Sequence, residues 1–502
     1  MAGKEHVVSM EGFFRREGGE TSSGVTEDAQ TYSISIESTT LEARMDAVME
    51  ARKKLTPSPT PKIQKVIFLL RDHKEFQKLY EPRAVSLGPI HNGGKKYKLG
   101  EAYKLMLTYE FVKGSKQMIN DLYKKIGEKI EELKECFEKE VIKDYDDESL
   151  IWMLLVDGCA TLQYIYCAAN SKFGDLNIKP DSIAFTQQDL FLLENQLPYR
   201  LLNWLMTWSG SANEGELRKS IDDYIESLVW VPPPDDQSAI FSWKWLSSLS
   251  WRCYKNEKQK TTQRNNPEKQ PIHLLDRLRT RLLDNHQRRN NPEKSNGKVQ
   301  TWQSYRNVQE LRAAGIYVER TKKKNSCLRD IDVTKFGCFG YLWLPPIIVD
   351  DSTKPKFLNL IAYEMCLDFK NDFEITSYIS FLDSLIDESS DVKMLRNAGI
   401  LYNCLGSDDE VAQVFNEIGN DLVPNDEIYS DVKRQIQDLY KKQDRTWIAQ
   451  VFHEHFSSPW TFTAFFGALL VLALTITQTW YAVDSSCDNL CKKLTPDKIC
   501  KS

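Results

Sequence analysis

The first thirty residues offer no apolar run; they are rich in charge, so nothing there would drive secretion. No Asn-x-Ser/Thr acceptor occurs anywhere, which agrees with a body that never enters a lumen. Histidine is scarce, at 7 in 502 residues, and the few present do not form a ligand pair. His453 and His455 stand two apart, on different sides of any helix, and "HEH" lacks the HExxH spacing of a zinc site. There is no C-x-x-C pair, no G-x-S-x-G elbow and no G-x-G-x-x-G, so the usual marks of redox, hydrolase and dinucleotide chemistry are missing. Strong net charge is also missing: −5 over the whole chain selects no partner class.

What is present is ample apolar material, 41% of residues with 11% aromatic, enough for a large core. The eleven cysteines are odd in number, and Cys159, Cys167, Cys366 and Cys404 stand singly in apolar or mixed surroundings, as free thiols in a reducing compartment do. Cys487, Cys491 and Cys500 form a separate group in the tail.

The clearest physical signal is "PWTFTAFFGALLVLALTITQTWYAV", residues 459–483, inside an uncharged interval from His455 to Asp484. A helix needs about 20 apolar residues to cross about 30 Å of hydrocarbon. Trp460 at one end and Trp480 with Tyr481 at the other suit the two interfaces. Basic residues flank both ends (Lys441, Lys442 and Arg445; Lys492, Lys493, Lys498 and Lys501), so charge counting gives no orientation. Order of synthesis does: with no signal upstream, the body is made in the cytosol and the chain is tail-anchored in the plasma membrane or an endomembrane. Residues 484–502 then lie outside or in a lumen, and the odd tail cysteine is placed to pair between chains.

Residues 1–60 read as a polar, disordered arm ending in the helix-breaking "TPSPTP". Residues 61–452 read as one mainly α body with minor β elements, followed by the 459–483 span. Leu122, Ile126, Ile130, Leu133, Phe137 and Val141 step by three or four, predicting one long amphipathic helix. "ESLIWMLLVDGCATLQYIYCAAN" is apolar nearly all round, which predicts a buried central helix. Helical periods recur near 300–315, 355–370, 374–388, 408–420 and 427–450. "YLWLPPIIVD", with Pro345 and Pro346, reads as a short strand near a sheet edge. Residues 254–300 read as a basic insert around a short helix, "IHLLDRLRTRLLDN", between two copies of "RNNPEK". Thirteen Lys or Arg against five Asp or Glu from Arg252 to Lys298 make 252–298 a candidate contact for anionic lipid. Nucleic acid fits less well, for aromatic interleaving is absent.

"AVSLGPIHNGGKKYK", residues 84–98, fails as a phosphate loop: Gly94 separates Gly93 from the lysines, no Ser or Thr follows, and Pro89 removes a cradling N–H. No cofactor or metal is expected. "DLFLLENQLPYR", residues 189–200, poses a sharper problem. Asp189, Glu194, Asn195 and Gln196 scatter around a helix instead of sharing one face, so some must be buried, and buried polar groups need partners. Pro198 predicts that a helix ends at "ENQ", with the Asn195 and Gln196 amides donating to its orphaned carbonyls and Glu194 accepting from Arg83 or Arg200. The candidate polar cluster is therefore Glu81, Arg83, Ser86, His91, Asp157, Asp189, Glu194, Asn195 and Gln196, a structural hub or a ligand site.

Several segments recur together in one known family. They are "YEPRAVSLGPIHNG", "LLVDGC", "DLFLLENQLPY", "HLLD", "ELRAAGI", "NLIAYE", "SYISFLDSLI", "DVKMLRNAGI" and "PWTF…LTITQT", in that order. The chain resembles the plant domain-of-unknown-function 247 family from about residue 35 to 483. The resemblance implies a mostly helical body, a C-terminal membrane span and no established catalytic activity. Members are tied to pollen-side self-incompatibility in grasses, to development or to stress, so it implies recognition or signalling through an unidentified protein partner. The rival expectation is an enzyme of unrecognised type built on Glu81, Arg83, Ser86, His91, Asp157 and Glu194. Where the family commonly carries Tyr-His-His after Gly-Pro, this chain has Ile90-His91-Asn92, which weakens any metal role; the basic repeat falls in a variable region.

Overall fold

The computed structural model describes residues 61–71, 77–229, 231, 270–283, 307–440 (except 324, 325, 338, 370, 372 and 421) and 459–493, together with 45, 46, 48 and 49. The chain divides into Met1–Thr56 and Pro57–Ser502. Of the first unit, residues 45, 46, 48 and 49 are helical and exposed. The rest of the expected N-terminal arm, both "RNNPEK" copies and Cys500 lie outside the described residues.

The second unit is mainly helical, in line with the sequence. Its hub is the predicted central helix. The first half comprises α1 (Lys98–Ser115), α2 (Ile119–Gly127), α3 (Asp147–Asn170), α4 (Pro180–Asp189), α5 (Tyr199–Trp208) and α6 (Ser211–Val229). Helix α3 starts where the Asp146 carboxylate accepts the Ser149 N–H at 2.7 Å, with Asp147 and Glu148 in the first turn favoured by the helix dipole. It is buried along most of its length and packs against α1, α2, α5 and α6. Length and composition would let it cross a membrane, but its apolar surface is already covered by protein.

The stepping apolar residues from Leu122 to Val141 are all buried as their spacing requires, but the single long helix is not formed. The segment breaks into α2 and the short turns Ile130–Lys134 and Lys139–Ile142. The cause is visible: Ile63 N–H donates to Cys136 O at 2.8 Å and Ile63 O accepts from Glu138 N–H at 3.0 Å. The incoming extended segment takes the backbone groups that a continuing helix would use.

Helix α7 (Leu274–Leu283) is the amphipathic helix of the basic insert. It is a structural part of the body: Leu274, Leu275, Leu278 and Leu283 are buried, and it bridges α6 to the second half. The second half contains α8 (Val308–Ala313), α9 (Thr353–Glu364), α10 (Glu374–Asp383), α11 (Ser389–Asn397), α12 (Asp408–Gly419) and α13 (Ser430–Tyr440).

Strands β1 (Ile316–Arg320), β2 (Asp332–Phe336) and β3 (Phe339–Leu344) form a sheet of order β1-β3-β2, with β1 parallel and β2 antiparallel to β3. Strands β4 (Ile347–Val349) and β5 (Leu401–Asn403) pair in parallel. "YLWLPPIIVD" is thus not one edge strand. It contributes to two sheets, and β3 is the central strand of its own, because Pro345 and Pro346 fall between strands and remove no ladder N–H. Helix α13 covers one face of the three-stranded sheet. The last helix, α14 (Pro459–Lys493), contains the apolar stretch.

Candidate functional site

Every residue from Asp189 to Tyr199 is buried. The helix ends earlier than expected: α4 stops at Asp189, and 190–198 runs through turns to Pro198, which precedes the first residue of α5. The turns persist because side chains take over backbone bonds. Gln196 donates to Leu190 O at 2.9 Å and Leu192 O at 2.7 Å, while its carbonyl oxygen accepts the Leu275 N–H of α7 at 3.1 Å. Asn195 donates to Asp189 O at 2.9 Å. Leu193 N–H donates to Asn359 Oδ1 at 2.8 Å, and the Asn359 amide donates onward to Leu79 O and Pro355 O. The segment is thereby pinned to α7 and α9.

Facing it is an irregular strap, residues 83–88, most of whose backbone N–H groups point at acceptors from elsewhere. Asp189 accepts from the N–H groups of Arg83 at 2.8 Å, Ala84 at 2.7 Å and Val85 at 2.9 Å. Asn195 Oδ1 accepts Leu87 N–H at 2.7 Å, and its amide donates back to Val85 O at 3.1 Å. Asp157, projecting from the middle of α3, accepts Gly88 N–H at 2.8 Å. Gly88 has φ +67°, and a Cβ there would lie 2.9 Å from Gln196 O, so both conformation and clearance call for glycine.

Charge is balanced locally. Lys104 on the buried face of α1 donates to Asp157 Oδ1 at 2.6 Å and to Ser86 O at 2.8 Å, and lies 2.8 Å from Glu101. Burial pushes the Asp157 carboxyl up to about 6, against the pull of Lys104 and the Gly88 N–H. Burial likewise raises Asp189, with its three backbone donors working the other way. Glu194 goes in the opposite direction. Burial would raise it, but His91 Nε2 at 2.9 Å from Oε2, Arg71 and the Val66 N–H at 2.8 Å together hold it below the usual glutamate value.

The nine candidate residues therefore lie along one strap-and-turn assembly without converging. Glu81 pairs with Lys96 at 2.9 Å on the surface. The Arg83 guanidinium lies 4.1 Å from the Phe185 ring centre, and Arg200 lies 3.5 Å from Glu132; Arg71 and His91 instead serve Glu194, the difference from expectation. Ser86 is buried, and its hydroxyl has no hydrogen-bond partner among the described residues. Ser86, His91 and Asp157 do not form a triad, since His91 faces Glu194 and Asp157 is engaged by Lys104 and Gly88. Among the described residues, no group of three or more His, Cys, Asp and Glu is arranged to hold a metal ion.

Residues that the sequence reading missed complete the network. Lys104 and Thr108 belong to the buried face of α1; a lysine in step with Leu107, Phe111 and Ser115 was a legible sign of a buried pair. Glu364 ends α9 and accepts from Arg279 Nε at 2.9 Å, Ile375 N–H at 3.0 Å and Thr376 N–H at 2.9 Å, tying α7 to the start of α10. Arg277 and Arg281 pair with Asp222 and Glu226 of α6. Three arginines of the expected lipid-contact segment 252–298 are thus engaged within the protein; most of that segment lies outside the described residues. Burial raises Cys167 and Cys327 to about 11, so these thiols stay protonated, and Cys136, Cys159 and Cys366 are free thiols as well.

A family-wide sequence profile described as a plant protein of unknown function, DUF247, matches residues 63–474. The chain is 26% identical to the UPF0481 protein At3g47200 of Arabidopsis thaliana over 430 residues, covering 81% of this chain and 83% of that one. It is 21% identical to the putative UPF0481 protein At3g02645 of the same plant over 496 residues, covering 81% and 88%. No solved structure matches.

Proposed function

The chain belongs to the plant domain-of-unknown-function 247 family, and from that premise we propose that it is a non-enzymatic, membrane-anchored recognition or signalling protein. Its body acts by binding another protein, in a process of the kind the family resemblance implies: self-incompatibility, development or stress.

The observation that carries the reading is the contrast between the two helices of membrane length. Helix α3 is covered by its neighbours, whereas Thr463–Val483 has no part buried by the protein. Twenty-one residues rise roughly 31 Å, about the thickness of the hydrocarbon layer. Three of its hydroxyls are satisfied internally: those of Thr475, Thr477 and Thr479 donate to the carbonyls of Val471 at 2.7 Å, Ala473 at 3.1 Å and Thr475 at 2.7 Å. Such bonding suits an apolar solvent, in which an unpaired donor is costly. The non-enzymatic half draws on the polar cluster, where Asp157, Asp189, Asn195 and Gln196 hold backbone groups in place and so are not poised around a substrate.

Protease treatment of sealed plant microsomes, with one tag at the N-terminus and one after Ser502, tests the anchoring. Digestion of the N-terminal tag with survival of the C-terminal tag is expected, and deletion of 459–493 should free the chain from carbonate-washed membranes. A full-length chain extracted by carbonate refutes the anchor; a protected N-terminal tag reverses the topology and puts the body on the outer side.

A further inference from the structure

Helix α1 departs from the rule that a surface helix turns polar residues outward. Its inward side is Gly100, Lys104, Leu107, Thr108, Phe111 and Ser115, all buried. At 100° per residue, Leu99, Ala102, Leu105 and Tyr109 fall on the opposite side. Leu99, Leu105, Tyr109 and, just beyond the helix, Met118 are between 54% and 66% exposed. Single exposed apolar side chains are ordinary, but a continuous stripe marks an interaction surface.

The stripe has a mainly basic rim, with Glu101 and Glu110 of the same helix as its acidic members. Lys95, Lys96 and Lys98 are exposed at its start, Lys113 and Lys116 at its end. Lys113 Nζ stands 5.8 Å from the centre of the Tyr109 ring. Lys96 is held by Glu81 and Lys113 lies 3.7 Å from Glu110, but Lys95, Lys98 and Lys116 form no ion pair with a carboxylate among the described residues. Apolar side chains that can enter the headgroup boundary, flanked by lysines whose ammonium groups reach the phosphates, are the composition of an interfacial helix.

We propose that α1 is a membrane-resting face of the body, which docks on an anionic phospholipid surface through Leu99, Leu105, Tyr109 and Met118, with Lys95, Lys98 and Lys116 at the headgroups. The proposal rests on the reading of Thr463–Val483 as the anchor. Residues 441–458 connect the body to α14, and even fully extended a segment of that length reaches only roughly 60 Å. An anchored chain therefore meets the bilayer at high effective concentration, so a weak surface contact is enough. Each unpaired lysine near an anionic leaflet multiplies the docked population roughly fivefold, and three together roughly a hundredfold. The excess of lysine over Glu101 and Glu110 favours lipid over a second copy of this face, because two net-positive rims would repel.

The test uses the full chain in nanodiscs of phosphatidylcholine alone or of phosphatidylcholine with phosphatidylserine. Incorporation reports the anchor; hydroxyl-radical footprinting of Tyr109 and Met118, referenced to the exposed Phe336, reports the α1 face. Labelling of Tyr109 and Met118 should fall several-fold in the anionic discs and recover in high salt. The triple change Lys95→Glu, Lys98→Glu and Lys116→Glu should abolish the fall without altering incorporation. Equal labelling in both discs overturns the proposal while leaving the anchor intact. A chain that does not incorporate overturns both. Protection that depends on protein concentration but not on lipid charge overturns it in favour of a second copy.

Discussion

Replacing Asn195 by leucine isolates what the strap-and-turn assembly contributes. The native side chain accepts Leu87 N–H at 2.7 Å and donates to Val85 O at 3.1 Å and Asp189 O at 2.9 Å, with no exposure to solvent. Leucine has a similar volume but returns none of these bonds. The buried N–H of Leu87 is then stranded, at about 1–3 kcal/mol, and so is the Val85 carbonyl. Asp189 O suffers less, since it also receives Leu192 N–H at 3.3 Å. The added apolar burial offsets about 1.5 kcal/mol, leaving a net loss of about 3 kcal/mol. Unfolding entropy near 2.1 cal/mol/K per residue over roughly four hundred residues converts this to a fall in Tm of about 4 °C. Thermal scans of the full chain at one fixed rate measure it, with Glu81→Gln as the control, because an exposed pair should shift Tm by less than about 1 °C. An Asn195→Leu chain within about 1 °C of the parent would refute the assignment of Asn195 to holding the strap.

Lys104→Met strands the Asp157 carboxylate and should cost about 3–5 kcal/mol near neutral pH, measured as a fall in the urea midpoint; protonation should shrink the deficit at pH 5, and an undiminished one would count against the pair. The two carboxyls should also give opposite pH signatures. Asp157, at about 6 in the fold against an ordinary 3.8, binds its proton more tightly when folded, so its contribution grows as pH falls through that window, and Asp157→Asn should remove this gain. Glu194 lies below its ordinary 4.5, so its contribution is intact above that value, and the gap between parent and Glu194→Gln should close only at lower pH. Differences between variant and parent curves carry these signs, because burial presses His273 to about 4 and its contribution fades as pH falls from 6.5. Finally, Gly100→Ala should destabilise, as its Cβ would sit 2.3 Å from Ala84 O, whereas Gly114→Ala, with nothing within 4 Å, should stabilise by about 0.5–1 kcal/mol; equal Tm shifts would refute the close approach.

Where packing alone decided the outcome, the sequence could be read. The central helix shows as an uninterrupted apolar stretch, and each apolar position from Leu122 to Val141 is buried as its spacing requires. What could not be read was long-range competition for backbone groups. Ile63 interrupts the 119–142 helix from across the chain, and Gln196 carries the turns after Asp189 where a helix was expected. Neither act leaves a local periodicity. The partners of Glu194 differ from expectation for a related reason: Arg200 is near it in sequence, but Arg71 and His91 reach it from distant parts of the chain. Helix α1 was overlooked because apolar residues occupy both of its sides, which erases the contrast that betrays an amphipathic helix.

The strap from Arg83 to Gly88 is gripped by its main chain. Its N–H groups look the same whatever residue carries them, proline apart, so the acceptors Asp157, Asp189 and Asn195 do not read the identities of Arg83 or Ala84. A saturation scan should therefore be lopsided: broad tolerance at outward strap positions, with proline excluded, and near-intolerance at the three acceptors and Gly88. Exposed strap side chains such as Arg83 become free to diversify without loosening the body. The surface chemistry of the body can change there while the scaffold beneath stays fixed.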